Sequence, residues 1–549
     1  MEKKWWKEAI IYQIYPRSFK DSNGDGIGDL GGILEKIDYI DDLGIDVIWL
    51  NPIYNSPNDD NGYDISDYYS IHPEFGSMEQ FDHLLEELHH RDIRLLMDLV
   101  VNHTSDEHAW FEQSKQPGTE HPYHDFYFWK EGKDGGPPNN WQSFFGGPAW
   151  TYVPAKDLWY LHLFSTKQPD LNWENATVRE EVKKILRFWL DKGIDGFRMD
   201  VIPCISKHLD FADADISNFG HVIEHVYSNG PRVHEFLREI NRDVLSHYDV
   251  MTVGEGPGIT MDRANLYVGK DRQELDMIFH LDHMGADHGP GGRFDPRPQD
   301  FMEFKQIWAG WDEAIGDQGW LSVFLDNHDF PRMVSRFGDD GAYRVPAAKL
   351  LSMMILTLRG TPCIYYGSEI GMTNVQFDSI EDYRDVETLN FWEIMRAQGL
   401  SEQEYLQLVQ SQGRDNVRTP MQWDDSQHAG FTTGTPWIKS NPNSAEINVQ
   451  NDHRSPGSIL RFYQQMIHLR KQYETFVYGK FEHLEETHPE LFVYDRQDDQ
   501  HHFRIVLNFS EKEISNPQDM SSFRFVIGND PDPGSVLKPW EGQLWKNSD

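Results

Sequence analysis

The stretch NATVREEVKKILRFWLDKGIDGFRMDV, residues 175–201, changes its hydrophobic period part-way along, and that change points to the fold. Over 175–193, Val178, Val182, Ile185, Leu186, Trp189 and Leu190 share one face at helical spacing. Asn175 can cap the start, Glu180 and Glu181 sit early, the lysines and Arg187 sit later, and Gly193 stops the helix. Three residues later the period is two. GFRMDV is a short strand that sends Phe197 and Met199 to one face and Arg198 and Asp200 to the other.

Seven more strand-like runs flank this one: IIYQIY, VIWLNPIY, RLLMDLVVNH, DVMTVGE, MIFHL, LSVFLDNHD and TPCIYYG. Eight strands alternating with amphipathic helices predict an α/β fold, a (β/α)8 TIM barrel. Two regions break the alternation. Residues 103–173 are rich in Gly, Pro, Trp and Tyr without helical period, too long for a bare loop, and read as an inserted loop-rich subdomain. After about residue 473, runs such as LFVYDRQ, HFRIVLNFS and SFRFVIG predict a C-terminal antiparallel β-domain. The expected division is a barrel from 1–102 and 174–473, the insertion at 103–173, and the C-terminal domain at 474–549.

The totals exclude several classes of function. Ninety acidic and 50 basic side chains give a formal net charge of −40, a field that repels phosphate backbones and anionic lipid. Neither nucleic acid nor a membrane is an expected partner. Aromatic residues run through the whole chain, which argues for a well-packed globular protein. Cys204 and Cys363 are the only cysteines, so no disulfide framework can be read. The N-terminal apolar run is short, broken by Gln13 and Pro16, and followed by no small-residue cleavage site. A soluble cytoplasmic protein, monomeric or weakly oligomeric, is the expectation.

In a barrel of this kind chemistry sits at the C-terminal ends of the strands. Arg198 and Asp200 fall there, and a guanidinium beside a carboxylate is expected to keep it ionised, as a nucleophile requires. Glu255 ends an apolar strand, a setting that suits a general acid. FLDNHD brings His328 and Asp329, and DLVVNH brings Asp98, Asn102 and His103. Any one of these could be a buried ion pair tying a strand to its loop. Four such clusters on barrel strands point instead to a pair of carboxylates acting as nucleophile and acid, the requirement of retaining glycosidic cleavage. There is no HExxH, no zinc spacing of Cys and His, no P-loop and no dinucleotide fingerprint.

DLVVNH, GFRMDV, the Glu255 strand, FLDNHD and QPDLNW resemble the signature regions of glycoside hydrolase family 13. Longer stretches, among them NGYDISDY, YRDVETLN and GRDNVRTPMQWDD, look like its oligo-1,6-glucosidase branch, and the likeness covers nearly the whole chain. The resemblance implies Asp200 as nucleophile, Glu255 as acid/base and Asp329 as the carboxylate that stabilises the transition state. It implies that Arg198, His103 and His328 hold the sugar in the −1 subsite, that Tyr63 stacks on it, and that Phe145, Phe164 and Gln168 line the pocket. In exo-acting members an Asp–Arg pair closes the far side. Asp60 and Arg414 match that pair, with Arg418 in the same motif as the alternative.

DSNGDGIGDL, at 21–30, looks like half of a calcium loop: oxygen side chains alternate at Asp21, Asn23, Asp25 and Asp29 around Gly26. An EF-hand needs Glu at the twelfth position, which here is Gly32. The resemblance implies a structural calcium site, with magnesium as the alternative ion and the Ile27 carbonyl as a further ligand. The plainer reading is a polar turn.

Val201, after the nucleophile, and QPDLNW both match the α-1,6-preferring members. The expected activity is release of α-glucose from the non-reducing end of short α-glucosides such as isomaltose. Pro203, Gly256 and Asp326 depart from the branch's pattern and are expected to affect the leaving-group side. A sucrose hydrolase or isomerase is the alternative, although RFDPR (293–297) only faintly echoes the isomerases' arginine-rich RLDRD loop. A non-catalytic sugar-binding relative would have lost the acids, and all three are present.

Overall fold

The computed structural model describes residues 2–548. Its centre is an eight-stranded parallel barrel: β1 (Ile11–Ile14), β2 (Val47–Leu50), β3 (Arg94–Leu99), β4 (Gly196–Met199), β5 (Met251–Glu255), β6 (Met277–Phe279), β7 (Ser322–Val323) and β8 (Thr361–Tyr365). The strands run β6-β5-β4-β3-β2-β1-β8-β7, every pairing parallel, and the bridge between Ile278 and Leu321 closes the ring. All eight strand-like runs of the sequence supply these strands. Each strand of four or more residues is apolar over most of its length because inner filling and outer helices bury both faces.

The helix before β4, α1 (Ala176–Lys192), forms as its spacing demands. The Asn175 side chain accepts from the Thr177 amide, and Gly193 ends the helix at φ 105°. The six expected apolar residues are all buried, five of them fully. Gly196 then lets β4 approach β5, since a Cβ there would lie 1.9 Å from the Met251 carbonyl oxygen.

Between β3 and α1 the chain leaves the barrel and builds a three-stranded antiparallel sheet from Trp129–Lys130, Leu158–Leu161 and Trp150–Val153. Phe128, Trp141, Trp150 and Leu161 form a second core with Val201 and Cys204 from the segment after β4, while Tyr160 joins the barrel's core. After the barrel, β9 (Lys480–His483), β10 (Leu491–Gln497), β11 (His502–Asn508), β12 (Phe523–Gly528) and β13 (Gly542–Asn547) make an antiparallel sheet in the order β9-β10-β11-β13-β12. Lys305 joins it to the barrel: its buried Nζ donates to the carbonyls of Glu485, His488 and Leu491. Among the described residues no helix is long and apolar enough to cross a membrane.

Candidate active site

The C-terminal ends of β2 to β7 and the inserted sheet enclose a cavity of about 860 Å³. Asp60, Tyr63, His103, Phe145, Phe164, Asp200, Val201, Glu255, His328, Asp329 and Arg414 line it. These come from eight separate stretches of sequence, which the closed barrel, the insertion and the segment after β8 bring together.

Arg198 stands at the centre but behind the wall, 1% exposed. Its Nη1 lies 2.5 Å from Asp98 and 2.7 Å from Asp200, and its Nη2 lies 2.8 Å from Glu255. Asp200 and Glu255 therefore share one guanidinium, which places the two carboxyls side by side. Glu255 also accepts from the Val201 amide at 3.0 Å. Val201 adopts φ 35°, ψ 40°, a left-handed backbone that a β-branched residue rarely takes.

Burial raises the Asp200 carboxyl well above the usual range, Arg198 opposes the shift, and Glu255 and Asp98 add to it. Arg198, expected to keep Asp200 ionised, works against burial there while dividing its charge among three carboxylates. Asp329 goes the other way. Burial would raise it, but His328, Arg414 and Arg418 hold it well below the usual carboxylate range. His328 Nε2 is 3.0 Å from Asp329, and Arg418 Nη2 and Arg414 Nη1 reach it at 3.1 and 3.3 Å.

Arg414 Nη2 also meets Asp60 at 3.0 Å, so of the two candidate arginines Arg414 makes the pair. Arg418 turns to Asp329 and to the His328 carbonyl. Asp385 sits between both arginines, 2.5 Å from Arg414 and 3.6 Å from Arg418. The Arg414 guanidinium lies over the Phe145 ring at 4.6 Å. Tyr63 lies parallel to His328, centroids 5.1 Å apart, and its hydroxyl donates to Asp98. His103 packs on Phe164, and burial pushes it down to about 4, so it is neutral at physiological pH.

Gln168 and Arg198 do not line the cavity. Gln168 is fully buried and donates to Asp60 from behind at 3.1 Å. Pro203, Gly256 and Asp326, expected to affect the leaving-group side, do not line it either. Asp326 is buried and accepts from the Met333 amide and the Ser368 hydroxyl. At Gly256 a Cβ would come 2.9 Å from the Phe279 carbonyl oxygen, so close packing accounts for the glycine.

The sequence marks Asp98 as one of the strand-end groups without giving it a role, and does not single out Asp385, which YRDVETLN contains. Asp98 is fully buried and also accepts from Trp49 Nε1 at 2.8 Å. A carboxylate on a barrel strand opposite a buried arginine was the available signal.

The loop 21–30 folds back on itself. Asp21 accepts from the amides of Asn23, Gly24 and Gly26, Asn23 from that of Asp25, and Asp25 from that of Ile27. Asp29 accepts from Ser22 and from the Gly32 amide. Among the described residues no three His, Cys, Asp or Glu side chains are gathered as a metal cluster. The donor set at 21–29 is nonetheless all oxygen, as a hard cation takes, although both Asp21 oxygens and Asp29 Oδ1 each already accept two hydrogen bonds that an ion would have to replace.

The sequence was compared with known proteins. The family model described as "Alpha amylase, catalytic domain" matches residues 13–479. The chain belongs to the alpha-amylase family, glycoside hydrolase family 13. Over its whole length it is 52% identical to an oligo-1,6-glucosidase from Parageobacillus thermoglucosidasius, covering 99% of that protein. Among solved structures it is similar to isomaltulose synthase from Klebsiella sp. LX3, with TM-score 0.96, 43% identity and full coverage of both chains. It is also similar to a trehalose-6-phosphate hydrolase from Bacillus licheniformis, with TM-score 0.94, 45% identity and full coverage of both. This member of the alpha-amylase family is a glycoside hydrolase.

Proposed function

We propose that this chain is an exo-acting, retaining α-glucosidase that releases α-glucose from short α-glucosides and favours α-1,6 linkages. The observation that carries the reading is the cavity's two ends: Asp200 and Glu255 bridged by Arg198 at one wall, and the Asp60–Arg414 pair closing another. Adjacent carboxyls are what a double displacement needs. Asp200 attacks the anomeric carbon while Glu255 gives its proton to the leaving oxygen. Water, deprotonated by Glu255, then cleaves the glucosyl–Asp200 bond. Asp200 attacks as the carboxylate, and the Arg198 guanidinium 2.7 Å away opposes the upward push of burial on it.

Asp329, held ionised by His328, Arg414 and Arg418, can neutralise positive charge that develops on the ring. Asp60 and Arg414, fixed by Asp385 and Gln168, leave room for one terminal glucose. The four-oxygen loop at 21–29, with the Ile27 carbonyl, is part of the proposal as a structural site for calcium, or magnesium in its place. It lies after β1 and makes no contact with the acids, so the ion would brace the loop without entering the chemistry.

A second reading is sucrose isomerisation. It is favoured by the likeness to isomaltulose synthase and by Arg293, which lines the cavity and donates to the Asp329 carbonyl at 2.7 Å. Glucose release from isomaltose, maltose, sucrose, trehalulose and trehalose tests both readings. Isomaltose should give the highest kcat/KM. Conversion of sucrose to an isomer with little free glucose would favour the second reading.

A further inference from the structure

Beyond the residues around the acids, the cavity wall carries Glu224, Asp282, Glu303 and Glu387 against only Arg293 and Arg297, and no lysine lines it. Both arginines are already engaged. Arg297 makes a two-pronged pair with Glu303 at 2.7 and 2.9 Å, and Arg293 lies 3.4 Å from Glu387 while donating to the Asp329 carbonyl. Among the described residues, each guanidinium on this part of the wall already faces a carboxylate.

Glu387 shows the consequence. Burial raises its carboxyl, and Asp385 and Asp329 add to the shift, even though Arg293 and Arg414 oppose it. Burial outweighs both arginines there, so an anion drawn into the same dry part of the wall would meet the same desolvation cost. The whole chain, at formal charge −40, adds to the same field.

We propose that the cavity wall beyond the acids selects by charge, so that neutral and cationic aglycones are accepted and anionic ones such as phosphorylated or carboxylated sugars are rejected. This rests on the glucosidase reading and narrows its substrate class.

Three aryl α-glucosides of similar shape and leaving ability test it: 4-(carbamoylmethyl)phenyl, 4-(2-aminoethyl)phenyl and 4-(carboxymethyl)phenyl. At low salt, kcat/KM for the carboxylate should fall at least about tenfold below the neutral compound, while the amine equals or exceeds it. Raising ionic strength should narrow the gap, because salt screens partly exposed charges. Glu303→Gln, which frees Arg297, should narrow it as well. A carboxylate cleaved as fast as the neutral compound overturns the proposal. So does a gap that neither salt nor Glu303→Gln changes, since shape would then be the cause. Failure to cleave the neutral glucoside would strike the glucosidase reading instead.

Discussion

Asp200 and Val201 are neighbours whose surroundings set different demands. Asp200 shares Arg198 with Glu255 and Asp98, so removing its charge removes the nucleophile but leaves the guanidinium paired. Asp200→Asn should fold with a melting curve close to wild type and lose nearly all turnover. In the wild type, NMR during early turnover should show α-glucose as the first product, and β-glucose would overturn Asp200 as nucleophile. Val201 lines the cavity with no hydroxyl and holds its backbone left-handed so that its amide meets Glu255. Val201→Thr adds a donor and an acceptor near the leaving group at almost the same volume. The kcat/KM ratio of isomaltose to maltose should shift toward maltose. One altered contact supplies about 1–3 kcal/mol, or roughly 10- to 200-fold. Equal losses on both substrates would show that Val201 does not read the linkage.

Two loops carry testable consequences at the scale of elements. The loop that presents Asp60 hangs on Asp64, which accepts from the amides of Asp59 and Asp60 and from the Ser56 hydroxyl. Burial pushes Asp64 up to about 7 despite those bonds. The folded protein therefore binds a proton here that the unfolded chain has released between about pH 4 and 7. Stability falls as pH rises through that window, by at most about 1.4 kcal/mol per pH unit. Asp64→Asn should remove this part of the slope of unfolding free energy against pH, measured by denaturant titration. An unchanged slope would mean that Asp64 does not titrate there.

The loop at 21–30 is pinned to a distant segment. Asp21 accepts from the Thr432 hydroxyl and its amide donates to the Phe431 carbonyl, while the Gly26 carbonyl accepts from the Trp437 amide. An ion there would tie the turn after β1 to the chain that follows Arg418. Chelation should lower the melting temperature more than it lowers kcat. An unchanged melting curve, with no metal in the purified protein, would leave the loop as a polar turn.

The whole molecule decides which end of a substrate can enter. Asp60 comes from the loop after β2 and Arg414 from a segment beyond the barrel's last strand, and they meet at 3.0 Å across the cavity. A pocket closed at that end admits a chain only by its non-reducing terminus. Digests of linear isomaltooligosaccharides should show glucose as the only early product beside the shortened chain, and starch should keep its internal bonds. Asp60→Ala removes the wall and leaves Arg414 with Asp385, so it should raise KM for isomaltose strongly. Internal cleavage by the wild type would contradict the closed end.

Periodicity made the eight strands, α1 and its caps, and the C-terminal sheet legible, because those patterns are set by neighbours two to four residues apart. Polar residues at the ends of apolar strands marked Asp200, Glu255, His328 and Asp329 for the same local reason. What the sequence by itself could not decide was how those groups meet. Only barrel closure shows that Arg414, and not Arg418, reaches Asp60, that Gln168 stands behind the wall, and that Asp98 takes a share of Arg198. The charge state of Asp200 belongs to the same class. A neighbouring arginine can be read from two letters of sequence, but the two other carboxylates on it come from strands 100 and 57 residues away from Arg198, and the burial that works against it exists only once the barrel has closed.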